Sequence, residues 1–217
     1  MKIDIYKVNK KYDVIYADPP WSYKDKKSCD PAMGGITYDV MELEDIKAMG
    51  ETIQKISNKD CALFLWVTMP MLQEGLDVIK AWGFDYKTCA FTWVKLNPSK
   101  KLYGPYGYSD ESDLDLKTEE SGIEKVNSSL DGMDFYSGLG HWTNGNAELC
   151  LFAKKGRPKR KNKNIKQILI APRGRHSAKP EEARNRIDKL IEAENKLELF
   201  CRGTGGAGWD VWGNESE

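Results

Sequence analysis

The apolar and polar positions divide the chain into short apolar runs separated by amphipathic stretches. Segments 12–17, 61–68, 88–94, 148–153, 167–171 and 196–201 are short, rich in β-branched and aromatic residues, and apolar on both faces. That pattern predicts strands buried on both sides of a sheet, and Cys61-Ala62-Leu63-Phe64-Leu65-Trp66-Val67 is the clearest of them. Residues 42–57 space Leu43, Ile46, Met49, Ile53 and Ile56 by three and four, which predicts a helix. Residues 71–82 do the same with Leu72, Leu76 and Ile79, and residues 180–193 with Ala183, Ile187, Leu190 and Ile191. Pro180 suits the first turn of that last helix, and Glu181 and Glu182 suit the positive end of its dipole. Strands alternating with helices predict an α/β fold around a mostly parallel twisted sheet with helices on both faces. Ligands of such sheets bind beyond the carboxyl ends of the strands, and Asp18 and Arg202 each follow one.

Residues 97–140 break the alternation. Gly104, Pro105, Gly107, Ser109, Gly122, Ser128, Ser129 and Gly132 dilute the pattern, and nine acids lie between Asp110 and Asp134. An irregular acidic insertion of about 100–139 within a single domain spanning 1–217 is expected, as a lid, a partner-binding segment or an arm over a basic stretch. The zero net charge hides the asymmetry. No acid occurs between Glu148 and Glu181, whereas Lys154, Lys155, Arg157, Lys159, Arg160, Lys161, Lys163, Lys166, Arg173, Arg175 and Lys179 all do. The run 154–166, with Lys159, Arg160 and Lys161 at its centre, is the candidate for phosphate contact. It has no interleaved aromatics, so it would position a polymer without reading its sequence. The five cysteines are dispersed, odd in number and without a Cys-x-x-Cys pair, which predicts reduced thiols and a cytoplasmic protein. With only His141 and His176, no metal site is expected. No apolar stretch approaches the ~18 residues of a membrane span.

Asp18-Pro19-Pro20-Trp21, directly after the first apolar run, carries a chemical logic. The lone pair of an aromatic exocyclic amine is delocalised into its ring. A carboxylate accepting one amine hydrogen and a backbone carbonyl accepting the other would draw that nitrogen towards tetrahedral geometry. Proline fixes φ and aims the chain, and its carbonyl can accept. Trp21 would offer a face for stacking, commonly worth ~1–3 kcal/mol per base. Orientation and electrostatics would dominate such a site.

This segment resembles the catalytic motif of the amino-methyltransferases that act on adenine. Trp in the last slot resembles the branch that includes the eukaryotic messenger-RNA adenosine methyltransferase and many bacterial and phage relatives. Three further segments extend the resemblance over most of the chain. They are Phe91-Thr92-Trp93-Val94-Lys95, then Gly140-His141-Trp142-Thr143-Asn144, and a C-terminal block. That block contains Arg175-His176-Ser177-Ala178-Lys179-Pro180, Glu198-Leu199-Phe200-Cys201-Arg202 and Gly213-Asn214-Glu215. The resemblance implies a Rossmann-like class I S-adenosylmethionine-dependent methyltransferase fold of permuted β-type order, with the catalytic motif first and the cofactor strand last. It implies catalysis by Asp18, Pro19, Pro20 and Trp21, and a base pocket with Trp93, Lys95, His141 and Trp142. It implies a cofactor site of Asp18, Lys179, Glu198, Phe200, Arg202, Asn214 and Glu215, with Asp4 and Ile5 reaching the cofactor adenine.

The expected reaction is methyl transfer from S-adenosylmethionine to N6 of adenine. DNA is preferred to RNA as substrate, because the chain looks like the compact prokaryotic and phage members, acting in the cytoplasm of a bacterial or phage-infected cell. The alternatives are an RNA adenine methyltransferase, a non-catalytic nucleic-acid-binding subunit of a heterodimer, and a cytosine amino-methyltransferase. Duplex DNA would require the target base to leave the stack. Target recognition would come from loops 100–139 and 154–166, or from a second subunit in a homodimer or heterodimer.

Overall fold

The computed structural model describes residues 1–23, 39–97, 135–138, 142–174 and 178–216. Most of the acidic insertion, together with His141, lies outside the described residues. Seven strands form one sheet. They are β1 (Tyr12–Ala17), β2 (Ser57–Val67), β3 (Asp85–Leu96), β4 (Ala147–Lys155), β5 (Ile168–Pro172), β6 (Lys196–Leu199) and β8 (Trp209–Trp212). A short ribbon pairs β7 (Arg202–Gly203) with β9 (Glu215–Ser216). The sheet order is β5-β3-β4-β2-β1-β6-β8. The pairs β1–β2, β1–β6, β6–β8 and β3–β5 are parallel, and β4 is antiparallel to both of its neighbours.

The expectation of a mostly parallel sheet with helices on both faces is met, and β4 is the one reversed strand. Its reversal follows from chain geometry. β3 ends at the carboxyl edge of the sheet, and the chain re-enters at the same edge, where Val94 pairs with Ala147. A strand starting there has to run back down. Parallel strands instead need a crossover, which the helices provide.

The two faces bury two separate cores, because successive side chains of a strand point to opposite sides. Ile15 and Ala17 of β1 and Leu63, Leu65 and Val67 of β2 pack with Ile46, Ile53, Val78 and Ile79. The last four come from helices α1 (Leu43–Ala48), α2 (Gly50–Ile56) and α3 (Leu72–Ala81). Val14, Tyr16, Phe64 and Trp66 point to the other side, against Ala183 and Ile187 of helix α4 (Glu181–Leu190). No helix among the described residues is long and apolar enough to cross a membrane.

The single helix expected over 42–57 is broken into α1 and α2 at Met49. The break has two visible causes. The Trp82 indole donates to the Ile46 carbonyl at 2.8 Å, the group that residue 50 would claim in a continuous helix. Gly50 also lies against the end of α3, where an added Cβ would sit 2.5 Å from the Ala81 carbonyl oxygen. The sequence also conceals β8, whose two tryptophans look like tail but close the sheet beside β6. Gly50→Ala is expected to lower stability by about 1–3 kcal/mol through overpacking against backbone, although alanine is the better helix former. The urea midpoint at constant m-value measures it.

Candidate active site

β1 and β6 lie side by side and parallel, yet the chain leaves them in opposite directions. From β1 it crosses to β2 by α1 and α2, and β6 is followed by β8 on its other side. Such a switch point opens a crevice at the carboxyl edge. Asp18 leaves the end of β1 there, and Phe200 the end of β6. On the β2 side of Asp18 a small pocket is lined by Pro19, Trp21, Tyr23, Trp66, Val67, Thr68, Glu148 and Lys179. The Asp18-Pro19-Pro20-Trp21 segment therefore opens directly onto a cavity.

A line of alternating charge runs through the floor of this pocket. Lys179 Nζ donates to Asp18 Oδ2 at 2.6 Å and lies 3.3 Å from Glu148 Oε2. Lys95 Nζ donates to Glu148 Oε1 at 2.5 Å, and it also sits 5.1 Å over the Trp93 ring. All four side chains are largely buried, at 22% exposure for Asp18, 9% for Lys179, 13% for Glu148 and 14% for Lys95. Burial is the main force on Asp18 and raises its pKa above the ordinary aspartate range. Lys179 pulls it down and the neighbouring Glu148 carboxylate pushes it up. Burial also works to raise Glu148, but the two lysines outweigh it and hold that carboxyl below its usual value. Lys179 loses from burial and gains more from its two carboxylates, so its ammonium is held charged.

The wall of the pocket is built from anchored aromatics. Trp21 is 4% exposed, and its indole donates to the Trp66 carbonyl at 3.1 Å. The Trp66 indole donates in turn to the Tyr16 hydroxyl at 2.7 Å, and Tyr23 and Thr68 share a hydroxyl hydrogen bond of 2.7 Å. Trp21 is thus part of the core and of the pocket lining at once. The Pro19 carbonyl accepts from Trp21 N at 2.9 Å and the Pro20 carbonyl from Met41 N at 2.8 Å. Each oxygen keeps a second lone pair.

On the β6 side, Phe200 has φ of 60°, the left-handed region that non-glycine residues rarely adopt. That turn lays its ring 5.4 Å from Trp212 in an edge-on contact. Glu198 is buried and held by Arg184 through both oxygens at 3.1 and 2.9 Å. Gly205, at φ 69°, approaches Val211 too closely for any Cβ, so backbone lies directly beside this end of the sheet. The Arg184 Nε, buried beside Gly206, has no hydrogen-bond partner among the described residues. Arg202 begins β7, and Asn214 is exposed just before β9, which starts at Glu215. Ile5 is buried in the first core, whereas Asp4 caps the Tyr6 amide at 3.0 Å and pairs with Lys7.

The structure thus gathers Asp18, Pro19, Trp21 and Lys179 around one pocket, with Lys95 behind Glu148 and with Glu198, Phe200 and Arg202 at the neighbouring strand end. Other expected residues fall elsewhere. Trp93 is buried in the second core, with its indole on the Ala171 carbonyl at 3.0 Å and its ring edge-on to Trp66. Trp142 is 97% exposed. Lys159, Arg160 and Lys161 lie at the opposite edge of the sheet, because the reversed β4 carries the chain away from the pocket before they occur. Glu148 was not among the expected site residues. Its signal was there to read, as a lone acid opening an apolar strand just ahead of an acid-free stretch.

The MT-A70 family signature matches residues 12–113 and 113–215. The type II methyltransferase M.MunI of Mycoplasma sp is 30% identical over 224 residues, covering 95% of this chain and 78% of its own. The N(6)-adenosine-methyltransferase catalytic subunit METTL3 of Homo sapiens is 26% identical over 193 residues, 88% of this chain and 26% of its own. The N(6)-adenosine-methyltransferase MT-A70-like protein of Drosophila melanogaster is 26% identical over the same length, covering 24% of its own chain. The present chain therefore spans about a quarter of these two eukaryotic relatives. With the signature running from β1 to β9 and the acid of its opening motif lining a pocket at the switch point, the chain belongs to the MT-A70 family of adenine-N6 methyltransferases.

Proposed function

We propose that this adenine-N6 methyltransferase acts on DNA, with Asp18, Pro19 and Trp21 holding the target base and the β6 edge holding S-adenosylmethionine. The observation that carries the catalytic reading is Asp18 itself, a carboxylate at the end of β1 that lines a pocket walled by anchored aromatics. Asp18 accepts one hydrogen of the adenine amine, and the second lone pair of the Pro19 carbonyl accepts the other. The nitrogen lone pair then turns out of the ring plane. Its surplus proton becomes acidic only as the new N–C bond forms, and a carboxyl with a raised pKa is suited to receive it. The pocket wall excludes water and fixes the ring, so the gain comes from orientation and a prearranged field.

The residues at the β6 end fit the cofactor. Phe200 offers an aromatic surface, Glu198 and Arg202 offer polar groups, and Gly205 brings backbone close with no side chain between. S-adenosylmethionine supplies an electrophilic methyl carried on a sulfonium. Lys179 lines the base pocket between Asp18 and Glu148, where it would hold Asp18 in position. DNA is favoured because the type II methyltransferase matches over most of both chains, whereas the N(6)-adenosine-methyltransferases match over a quarter of theirs. A duplex substrate would have to present its adenine flipped out of the stack.

Three outcomes test this reading. Methyl-labelled cofactor with matched DNA and RNA oligonucleotides should give N6-methyladenine in the DNA by nucleoside mass spectrometry; labelling of RNA alone would reassign the substrate. Asp18→Asn should cut kcat by about 10²-fold or more while calorimetric cofactor affinity changes little; unchanged turnover would remove Asp18 from the chemistry. The pH profile of kcat/KM should fall on the acid side as Asp18 protonates. Because burial raises the pKa of Asp18, that fall should begin at higher pH than for a free aspartate. Lys179→Gln removes the charge that lowers it and should shift the acid limb further up.

A further inference from the structure

We infer that the basic run after β4 is a second nucleic-acid contact, separate from the base pocket, which grips a phosphate backbone at the opposite edge of the sheet. The inference rests on the proposed reading only for the identity of the polyanion. Topology makes the separation. Glu148 opens β4 at the pocket, and β4 runs antiparallel to β2 until Lys155 pairs with Cys61 near the start of β2. At about 3.4 Å per residue, the strand from Glu148 to Lys155 sets the two edges roughly 24 Å apart. The run from Gly156 starts at that far edge, where Lys161 lies beside the end of α4, and it returns along the sheet until Thr92 N donates to the Gln167 carbonyl ahead of β5.

The run is held in place by its neighbours. Lys161 N donates to the Leu190 carbonyl at 2.8 Å and Glu192 N to the Lys159 carbonyl at 2.9 Å, which docks the run on the end of α4. The Arg186 guanidinium donates to the Lys166 and Ile168 carbonyls at 2.8 and 2.7 Å. The Asn162 side chain accepts from Asn164 N at 2.8 Å. Among the described residues these charges are largely not neutralised. Nearby acids are already engaged, Glu192 with Lys159, Asp188 with Lys196, and Asp60 with the Arg157 backbone amide. Arg157, Arg160, Lys161, Lys163 and Lys166 are exposed, and none of these side chains meets an acid among the described residues. A pre-folded ridge of cations that meet no acid among the described residues, without aromatic side chains, suits a phosphate backbone and carries no means of reading bases. A polymer seated over the pocket follows the carboxyl edge, so this ridge holds another stretch of it. Its effect is retention on long polymer between turnovers.

The test is the triple variant Arg160→Gln, Lys161→Gln, Lys163→Gln, whose positions are all exposed. Binding of the full chain to a long non-specific DNA duplex is followed by anisotropy from low to high salt. If each removed cation had released one counterion, the slope of log K against log salt should become shallower by about 2.7. Lys159→Gln should change the slope little, because Glu192 already holds that ammonium. Single-turnover methylation of a short duplex should be unaffected in the triple variant, while methyl groups added per encounter on a long duplex should fall. An unchanged slope would overturn the inference. So would an equal loss of single-turnover rate on the short duplex, which would make the ridge part of the pocket's own footprint. If no polymer accepts methyl, the proposed function fails, and the salt slope still decides the ridge.

Discussion

The alternation of charge from Asp18 through Lys179 and Glu148 to Lys95 is the constraint on which the site depends. Four ionised groups are taken largely out of water, and each is tolerable only because a partner of opposite sign is within hydrogen-bond reach. Breaking such a buried pair by removing one partner typically costs 3–5 kcal/mol, because the survivor keeps its desolvation penalty and loses its compensation. The line spans β1, β3, β4 and the segment before α4, so it joins four chain segments far apart in sequence. It also divides the roles of two carboxylates that sit beside the same ammonium. Glu148 has two lysines that outweigh its burial, whereas for Asp18 burial and the neighbouring Glu148 outweigh Lys179 and Arg202, so Asp18 stays nearer to protonation. The acid with the weaker hold on its charge is the one proposed to face the amine.

The rest of the fold places these groups. Parallel β1 and β6 bring Asp18 and Phe200 to the same edge, and the reversed β4 brings Glu148 to that edge from the other direction. Had β4 run parallel to β2, its first residues would lie at the far edge, and Glu148 with them. The reversal thus does two things at once. It delivers a counter-charge to the pocket, and it moves the following cations away from it.

Much of this was legible in the sequence, and for identifiable reasons. Alternation of buried strands and amphipathic helices gave the layer architecture, since burial on both faces leaves an unbroken apolar run such as Cys61 to Val67. Asp18 could be placed at a strand end because the apolar run stops one residue before it. Strand direction was not legible, because an apolar run reads the same whichever way its neighbours point. That is why the sequence names Lys159, Arg160 and Lys161 as a phosphate-contacting run without giving the edge of the sheet on which they lie. The break at Met49 was hidden for a related reason. The periodic pattern of Ile46, Met49 and Ile53 is preserved across it, and only the tertiary bond from Trp82 and the close approach at Gly50 reveal it. Trp93 illustrates the ambiguity of aromatics, since a buried indole packed on Trp66 and one waiting for a base share the same sequence signal.

The aromatics around the pocket show how a wall can be made exacting without contacts to the reacting atoms. Trp21 is fixed by the Trp66 carbonyl, and Trp66 by the buried Tyr16 hydroxyl, so the wall inherits the rigidity of β1 and β2. An indole held by such a chain cannot swing to meet a ring that enters off register. The penalty for misplacement falls on the ligand, as lost stacking and lost hydrogen bonds to Asp18. A freely rotating aromatic would stack on any base and would pay rotamer entropy on each binding event. An anchored one has paid that cost in folding, and in the proposed reaction the selectivity of the pocket would be set by whether an amine reaches Asp18 when the ring is seated.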